Sequence, residues 1–89
     1  MAWKVEISPI ALKQLNKLDK SVSRRILKFL HERVEQLDDP RAIGGKLQGT
    51  LSEFWKYRVG DYRIICSLEH DRLVVLVLRI GHRREVYKR

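Results

Sequence analysis

The sequence predicts one α+β domain over residues 1–89, in the order β-α-α-β-β-β, with an antiparallel sheet carrying an N-terminal helical hairpin on one face. Three observations lead there. Apolar residues recur at helical spacing between residues 9 and 37. From Phe54 onward the spacing changes to two. Finally, 89 residues of which 44% are hydrophobic supply one modest core but leave no room for a second.

Val5 and Ile7 alternate with Lys4 and Glu6, which predicts a first strand over residues 3–7. Ser8-Pro9 then reads as N-cap and first helical position, where proline's missing N–H costs nothing. Ala11, Leu12, Leu15 and Leu18 follow at helical spacing. Asp19-Lys20-Ser21 breaks this helix, and Ser21 is placed to cap a second one over residues 21–37. Val22, Ile26, Phe29, Leu30, Val34 and Leu37 form its apolar stripe. Asp38-Asp39-Pro40 ends it, because the residue before proline avoids the helical region.

Residues 41–52 hold Gly44, Gly45 and Gly49 and read as a loop. Next, Trp55, Tyr57 and Val59 alternate with Lys56 and Arg58. After Gly60-Asp61, Tyr62, Ile64, Cys66 and Leu68 alternate with Arg63, Ile65 and Ser67. A Gly-Asp pair between two such runs marks a two-residue hairpin turn. Leu73 to Leu78 is uniformly apolar and predicts an internal strand closed by Gly81. The polar segment from His82 to Tyr87 is a candidate fifth strand.

Charge narrows the function. Nineteen Lys and Arg residues against eleven Asp and Glu leave a net +8, a field that attracts polyanions. A membrane surface is the weaker match: the second helix carries Glu32 and Glu35 on its polar face, and its apolar stripe suits a core. The longest apolar run is far short of a membrane span, and the N-terminus lacks the pattern of a secretory signal. One cysteine, Cys66, excludes an internal disulfide framework; a cytoplasmic location is expected. No Cys/His or multi-carboxylate set has metal-site spacing, so no metal or cofactor is expected.

The hairpin turn makes a specific claim about register. With Gly60-Asp61 at the tip, Val59 faces Tyr62 and Arg58 faces Arg63, with Lys56 on the same face. Trp55, Tyr57, Val59, Tyr62, Ile64, Cys66 and Leu68 share the other face, which reads as core. Like charges directly opposed in a sheet destabilise it. Such crowding makes sense where an anion occupies the surface, although a solvated basic edge has the same pattern. In an extended tail Arg83 and Tyr87 share a face, their Cα atoms ~13 Å apart at ~3.3 Å per residue.

The ordered set Ile7-Ser8-Pro9-Ile10-Ala11-Leu12-Lys13-Gln14-Leu15, Lys46-Leu47-Gln48-Gly49, Trp55-Lys56-Tyr57-Arg58 with Gly60-Asp61-Tyr62-Arg63, and Ile80-Gly81-His82-Arg83-Arg84-Glu85-Val86-Tyr87 resembles the RelE family of type II toxin–antitoxin toxins, within the RelE/ParE superfamily. The resemblance spans nearly the whole chain. It implies a microbial-RNase-like fold, cleavage of mRNA in the ribosomal decoding site, and inactivation by a cognate antitoxin. It further implies a catalytic set of Tyr87 as base, Arg83 as acid, and Lys56, Arg58 and Arg63 on the phosphate. Lys56, Arg58, Arg63, His82 and Arg84 form the implied RNA-binding set. Two positions depart from the family pattern: Arg58 stands where lysine is common, and His82 where lysine is typical beside Arg83.

RNA carries its own nucleophile, the 2′-OH, so the chemistry needs a base, an acid and stabilisation of charge. A phenol near pKa 10 and a guanidinium above 12 are poor acid–base groups at neutral pH. Neighbouring cations favour the phenolate, and most of the rate is expected from electrostatics and positioning. Two other readings stay open. One is a ParE-like toxin that inhibits DNA gyrase by binding; the other is a noncatalytic basic RNA-binding module. His31 and His70 read as surface residues, Trp3 is uninformative, and Cys66 reads as an inert core thiol.

Overall fold

A computed structural model describes residues 2–47 and 54–82. Its first strand, β1, is Lys4–Ile7. Ser8 Oγ accepts the Ala11 N–H at 3.2 Å and Pro9 takes the first helical position, so α1, Pro9–Lys17, begins where the cap signal expects. Leu18 is extended and the chain turns at once. Helix α2, Lys20–Lys28, therefore starts earlier than expected: its N-cap is Asp19, and Ser21 lies inside the first turn.

The second helix also changes character midway. From Phe29 to Val34 it is a π-helix, and the Glu35 N–H donates to the Leu30 carbonyl five residues back at 3.0 Å. Ile26, Leu30 and Val34 stay fully buried through this widening. Glu35 reaches β1, where its Oε2 accepts the Val5 N–H at 2.8 Å. That bond satisfies a donor on the outer side of an edge strand. After the helix, Asp39 Oδ1 accepts the Arg41 N–H at 2.9 Å and opens a single 3-10 turn, Pro40–Ala42.

Four more strands follow: β2 (Gly45–Lys46), β3 (Phe54–Val59), β4 (Tyr62–Glu69) and β5 (Val74–His82). The sheet order is β1-β5-β4-β3-β2. The α+β class and the helix pair are as expected, but the sheet is mixed rather than wholly antiparallel, because β1 runs parallel to β5 with Lys4 opposite Val74. The reason is directional. The helix pair carries the chain from one sheet edge to the other, and three reversals from β2 through β5 then bring β5 parallel to β1.

Two strand boundaries also differ from expectation. Residues 45–46, inside the segment read as loop, pair with β3 as the fifth strand. Strand β5 runs through Gly81 to His82 instead of closing at Gly81. Of the candidate strand from His82 to Tyr87, His82 belongs to β5, and residues 83–87 lie outside the described residues.

The hairpin register is as expected: Val59 opposes Tyr62 and Arg58 opposes Arg63. Gly60 has φ +59° and Asp61 lies on the ordinary negative side, the pattern of a primed turn with glycine first. Opposite β5, a register shift falls between Ile65 and Cys66. With it, Val75, Val77 and Ile80 are all buried against Ala11, Leu15, Ile26, Leu30 and Val34. Each fully buried aliphatic side chain there contributes roughly 1.5–3 kcal/mol. Among the described residues, no helix is long and apolar enough to cross a membrane.

Candidate functional site

Directly opposed residues in a sheet project from the same face. Strand registers therefore define two rows on the face away from the helices. One row runs Gly45, Lys56, Ile65, Arg79; the next runs Arg58, Arg63, Gly81. The row ends at Gly45 and Gly81 project no side chain over the cations. Lys56, Arg58 and Arg63 are brought together as the hairpin signal predicts. Arg79 joins their face beside Ile65, and sequence reasoning missed it. Its signal was the alternation of Arg79 and Gly81, hidden by reading the strand as ending at the apolar run.

A shallow pocket of about 190 Å³ opens beside Lys56, Arg58 and Arg63, walled by Gly44, Gly45 and Tyr57. Its wall is held firmly. Trp55 Nε1 donates to the Ile43 carbonyl at 2.8 Å, and Tyr57 OH donates to the Pro40 carbonyl at 2.6 Å. Gly44, with φ +82°, sits so close that a Cβ would meet the Lys56 carbonyl, with Trp55 Nε1 at 2.7 Å and Tyr57 Cδ1 at 2.8 Å. Only glycine combines that left-handed backbone with this approach.

Within the pocket the guanidinium groups differ. Arg58 Nε donates to the Gly60 carbonyl at 3.2 Å, which ties the side chain back to the turn. Arg63 Nη1 is shielded from solvent yet has no hydrogen-bond partner among the described residues. A buried donor left unmade costs about 1–3 kcal/mol, and more when charged. An anionic oxygen beside it removes that cost.

Other candidates fall elsewhere. His82 opposes Tyr62, and their rings meet edge-on with centroids 5.9 Å apart, so the imidazole lies on the helix-bearing face. Arg83, Arg84 and Tyr87 lie outside the described residues. Tyr57 belongs to the core; burial pushes its phenol well above the usual range, so it stays neutral. The Cys66 thiol is raised by burial in the same way and remains an unreactive packing group. His31 sits 3.3 Å from the Glu35 carboxylate, and the His70 ring packs edge-on against Trp3 at 5.4 Å.

The chain matches the family model for the ParE toxin of type II toxin–antitoxin systems over residues 5–87. It is similar to the mRNA interferase toxin RelE of Escherichia coli, with 33% identity over 98% of this chain and 92% of that protein. Among solved structures, the toxin–antitoxin complex RelBE2 from Mycobacterium tuberculosis shares the fold, with a TM-score of 0.84, 23% identity, and coverage of 93% of this chain and 100% of the other. The archaeal RelE–RelB complex from Pyrococcus horikoshii matches with a TM-score of 0.70 and 31% identity over 93% of this chain and 97% of its counterpart.

Proposed function

The chain belongs to the RelE/ParE family of type II toxins, and from that premise we propose that it is an endoribonuclease that cuts mRNA on the ribosome. The cut is an attack of the 2′-OH on the adjacent phosphorus, leaving a 2′,3′-cyclic phosphate and a 5′-OH. A cognate antitoxin holds the toxin inactive, as the archaeal RelE–RelB complex pairs its own two proteins. A ribosomal target makes the cytoplasm the site of action.

One observation carries this reading: Arg58 and Arg63 are opposed on the sheet face away from the helices, and Arg63 keeps a buried Nη1 there with no partner among the described residues. Three cations at one pocket are poorly explained by stability, since like charges opposed in a sheet repel. They suit a phosphate whose negative charge grows as the 2′-oxygen attacks. Lys56, Arg58 and Arg63 take that charge. Tyr87 is the proposed base and Arg83 the proposed acid. Cations brought near that tyrosine would favour the phenolate it needs. Arg84 is proposed as an RNA contact beside the cleaved bond, and His82 as one reached from the helix-bearing side of the sheet. Neither proton-transfer group is well matched to neutral pH, so positioning and charge stabilisation carry most of the rate.

The match to a ParE model favours a second reading, a toxin that inhibits DNA gyrase by binding. Purified protein separates the two: ribosome-programmed mRNA cleavage with mapped ends, beside a gyrase supercoiling assay. The nuclease reading expects cleavage with cyclic-phosphate and 5′-OH ends and undisturbed supercoiling. Ends bearing a 5′-phosphate, or intact mRNA with blocked supercoiling, overturn it.

A further inference from the structure

A second recess of about 460 Å³ lies between the β3–β4 turn and α2 with its π-helical continuation. Its floor is apolar, made by Phe29 and Val59. The Phe29 ring is braced edge-on by Tyr57, centroids 5.9 Å apart. Its rim is cationic, with Arg25, Lys28 and Arg33 from the helix and Arg58 from β3. Glu32 is the one carboxylate lining it, and among the described residues no ion pair joins these four cations to any carboxylate.

The recess continues the cationic pocket. Arg58 lines both, and its Nε is tied to the Gly60 carbonyl at 3.2 Å. On the other side of the same turn, the Arg25 guanidinium lies 3.3–3.6 Å from where a Cβ on Gly60 would stand. Glycine thus lets two arginines close on the turn from opposite sides. An apolar floor carrying an aromatic ring under a cationic rim matches a nucleotide, whose base stacks while its phosphate meets guanidinium groups. A carboxylate-rich polypeptide satisfies the rim but gains nothing from a braced ring beneath it.

We propose that this recess binds the nucleotide adjoining the cleaved phosphodiester, its base on Phe29 and Val59 and its phosphate on Arg25, Lys28 and Arg33, with Arg58 bridging to the pocket. The proposal rests on the reading that the basic face cuts RNA. Glu32, beside the floor, is placed to accept a hydrogen bond from a base amino group.

The test is fluorescence anisotropy of the full chain with a labelled RNA hexamer made uncleavable by 2′-deoxy substitution, across a salt series. The variants are the double change Arg25→Gln with Arg33→Gln, Phe29→Leu, and Arg24→Gln as an exposed helix cation outside the recess. The double variant should bind at least about tenfold more weakly. Its log affinity against log salt should flatten by about 0.7 for each lost phosphate contact. Phe29→Leu should weaken binding about fivefold or more without changing that slope, as lost stacking does. Arg24→Gln should stay within about twofold of wild type. Urea melts verify folding, and if Phe29→Leu fails to fold the arginine pair decides.

Wild-type affinity and slope in the double variant overturn the proposal. So does a recess that binds an oligoglutamate of equal charge but not the RNA, which would make an acidic polypeptide its ligand. Ribosome-dependent cleavage is measured in parallel. Wild type that cuts mRNA while the double variant binds and cuts equally well removes the recess alone. Wild type that leaves mRNA uncut removes the nuclease reading itself.

Discussion

Arg58 and Arg63 stand directly opposite each other across the β3–β4 hairpin, on the face away from the helices, and Arg63 Nη1 is buried there without a partner among the described residues. Two like charges and an unmade donor both weaken the empty protein. Arg63→Gln should therefore leave stability unchanged or raise it by about 0.2–1 kcal/mol. Any gain should shrink at high salt, where screening already relieves the repulsion. The same change should lower RNA cleavage strongly, because the phosphate loses a counter-charge. Urea melts at low and high salt beside a cleavage assay test both halves. A variant that is clearly less stable yet cuts normally makes Arg63 structural.

Tyr87→Phe should reduce cleavage by a factor on the order of 10² or more, the range for loss of a general base. Single-turnover cleavage on programmed ribosomes reads this directly. An unchanged rate removes Tyr87 from the mechanism.

Glu35 predicts an acid limb in stability. The Val5 N–H, and beside it His31, hold its carboxyl below the ordinary value of 4.5. A pKa depressed in the folded state means stabilisation that is complete above the unfolded pKa and lost as pH falls through the folded one. Glu35→Gln should flatten the decline of stability below about pH 4.5. Glu35→Ala, which strips the edge strand of its acceptor, should cost about 0.5–1.5 kcal/mol at pH 7. Denaturant melts from about pH 3 to about pH 7 for the three proteins check this. If the acid slope of Glu35→Gln equals that of wild type, Glu35 is not its source.

Gly44→Ala should be among the more damaging small changes in the chain. A left-handed backbone costs a side-chain-bearing residue about 1–2 kcal/mol. Overpacking against Trp55 and Tyr57 adds about 1–3 kcal/mol. Because Gly44 walls the cationic pocket, activity should fall with stability. A melt within 0.5 kcal/mol of wild type, roughly the scatter of surface substitutions, contradicts this packing account.

Much of this protein is readable along the chain because the forces involved act over a few residues. Ser8 caps the helix that Pro9 begins, three residues from the N–H it accepts. Gly60 takes the positive φ that a two-residue turn requires, and that turn alone sets Arg58 against Arg63. Alternation then sorts Tyr57, Ile64 and Cys66 into the core. The helix pair, the β3–β4 hairpin and its three cations follow from such local rules.

Only tertiary structure decided the rest, since the deciding partners are distant in sequence. Lys4 lies opposite Val74, and no local signal specifies that parallel closure. Gly45–Lys46 become a strand because β3 offers an open edge to pair with, not through any β-propensity of their own. Arg79 reaches the basic face through β5's pairing with β4, where the register shifts after Ile65. The π turn brings Glu35 to Val5, and Arg25 meets Gly60 only once α2 packs beside the hairpin. Turn chemistry and side-chain period are properties of short segments. Which edge remains unpaired, and which helix lies beside which turn, depends on the whole chain burying its apolar faces at once.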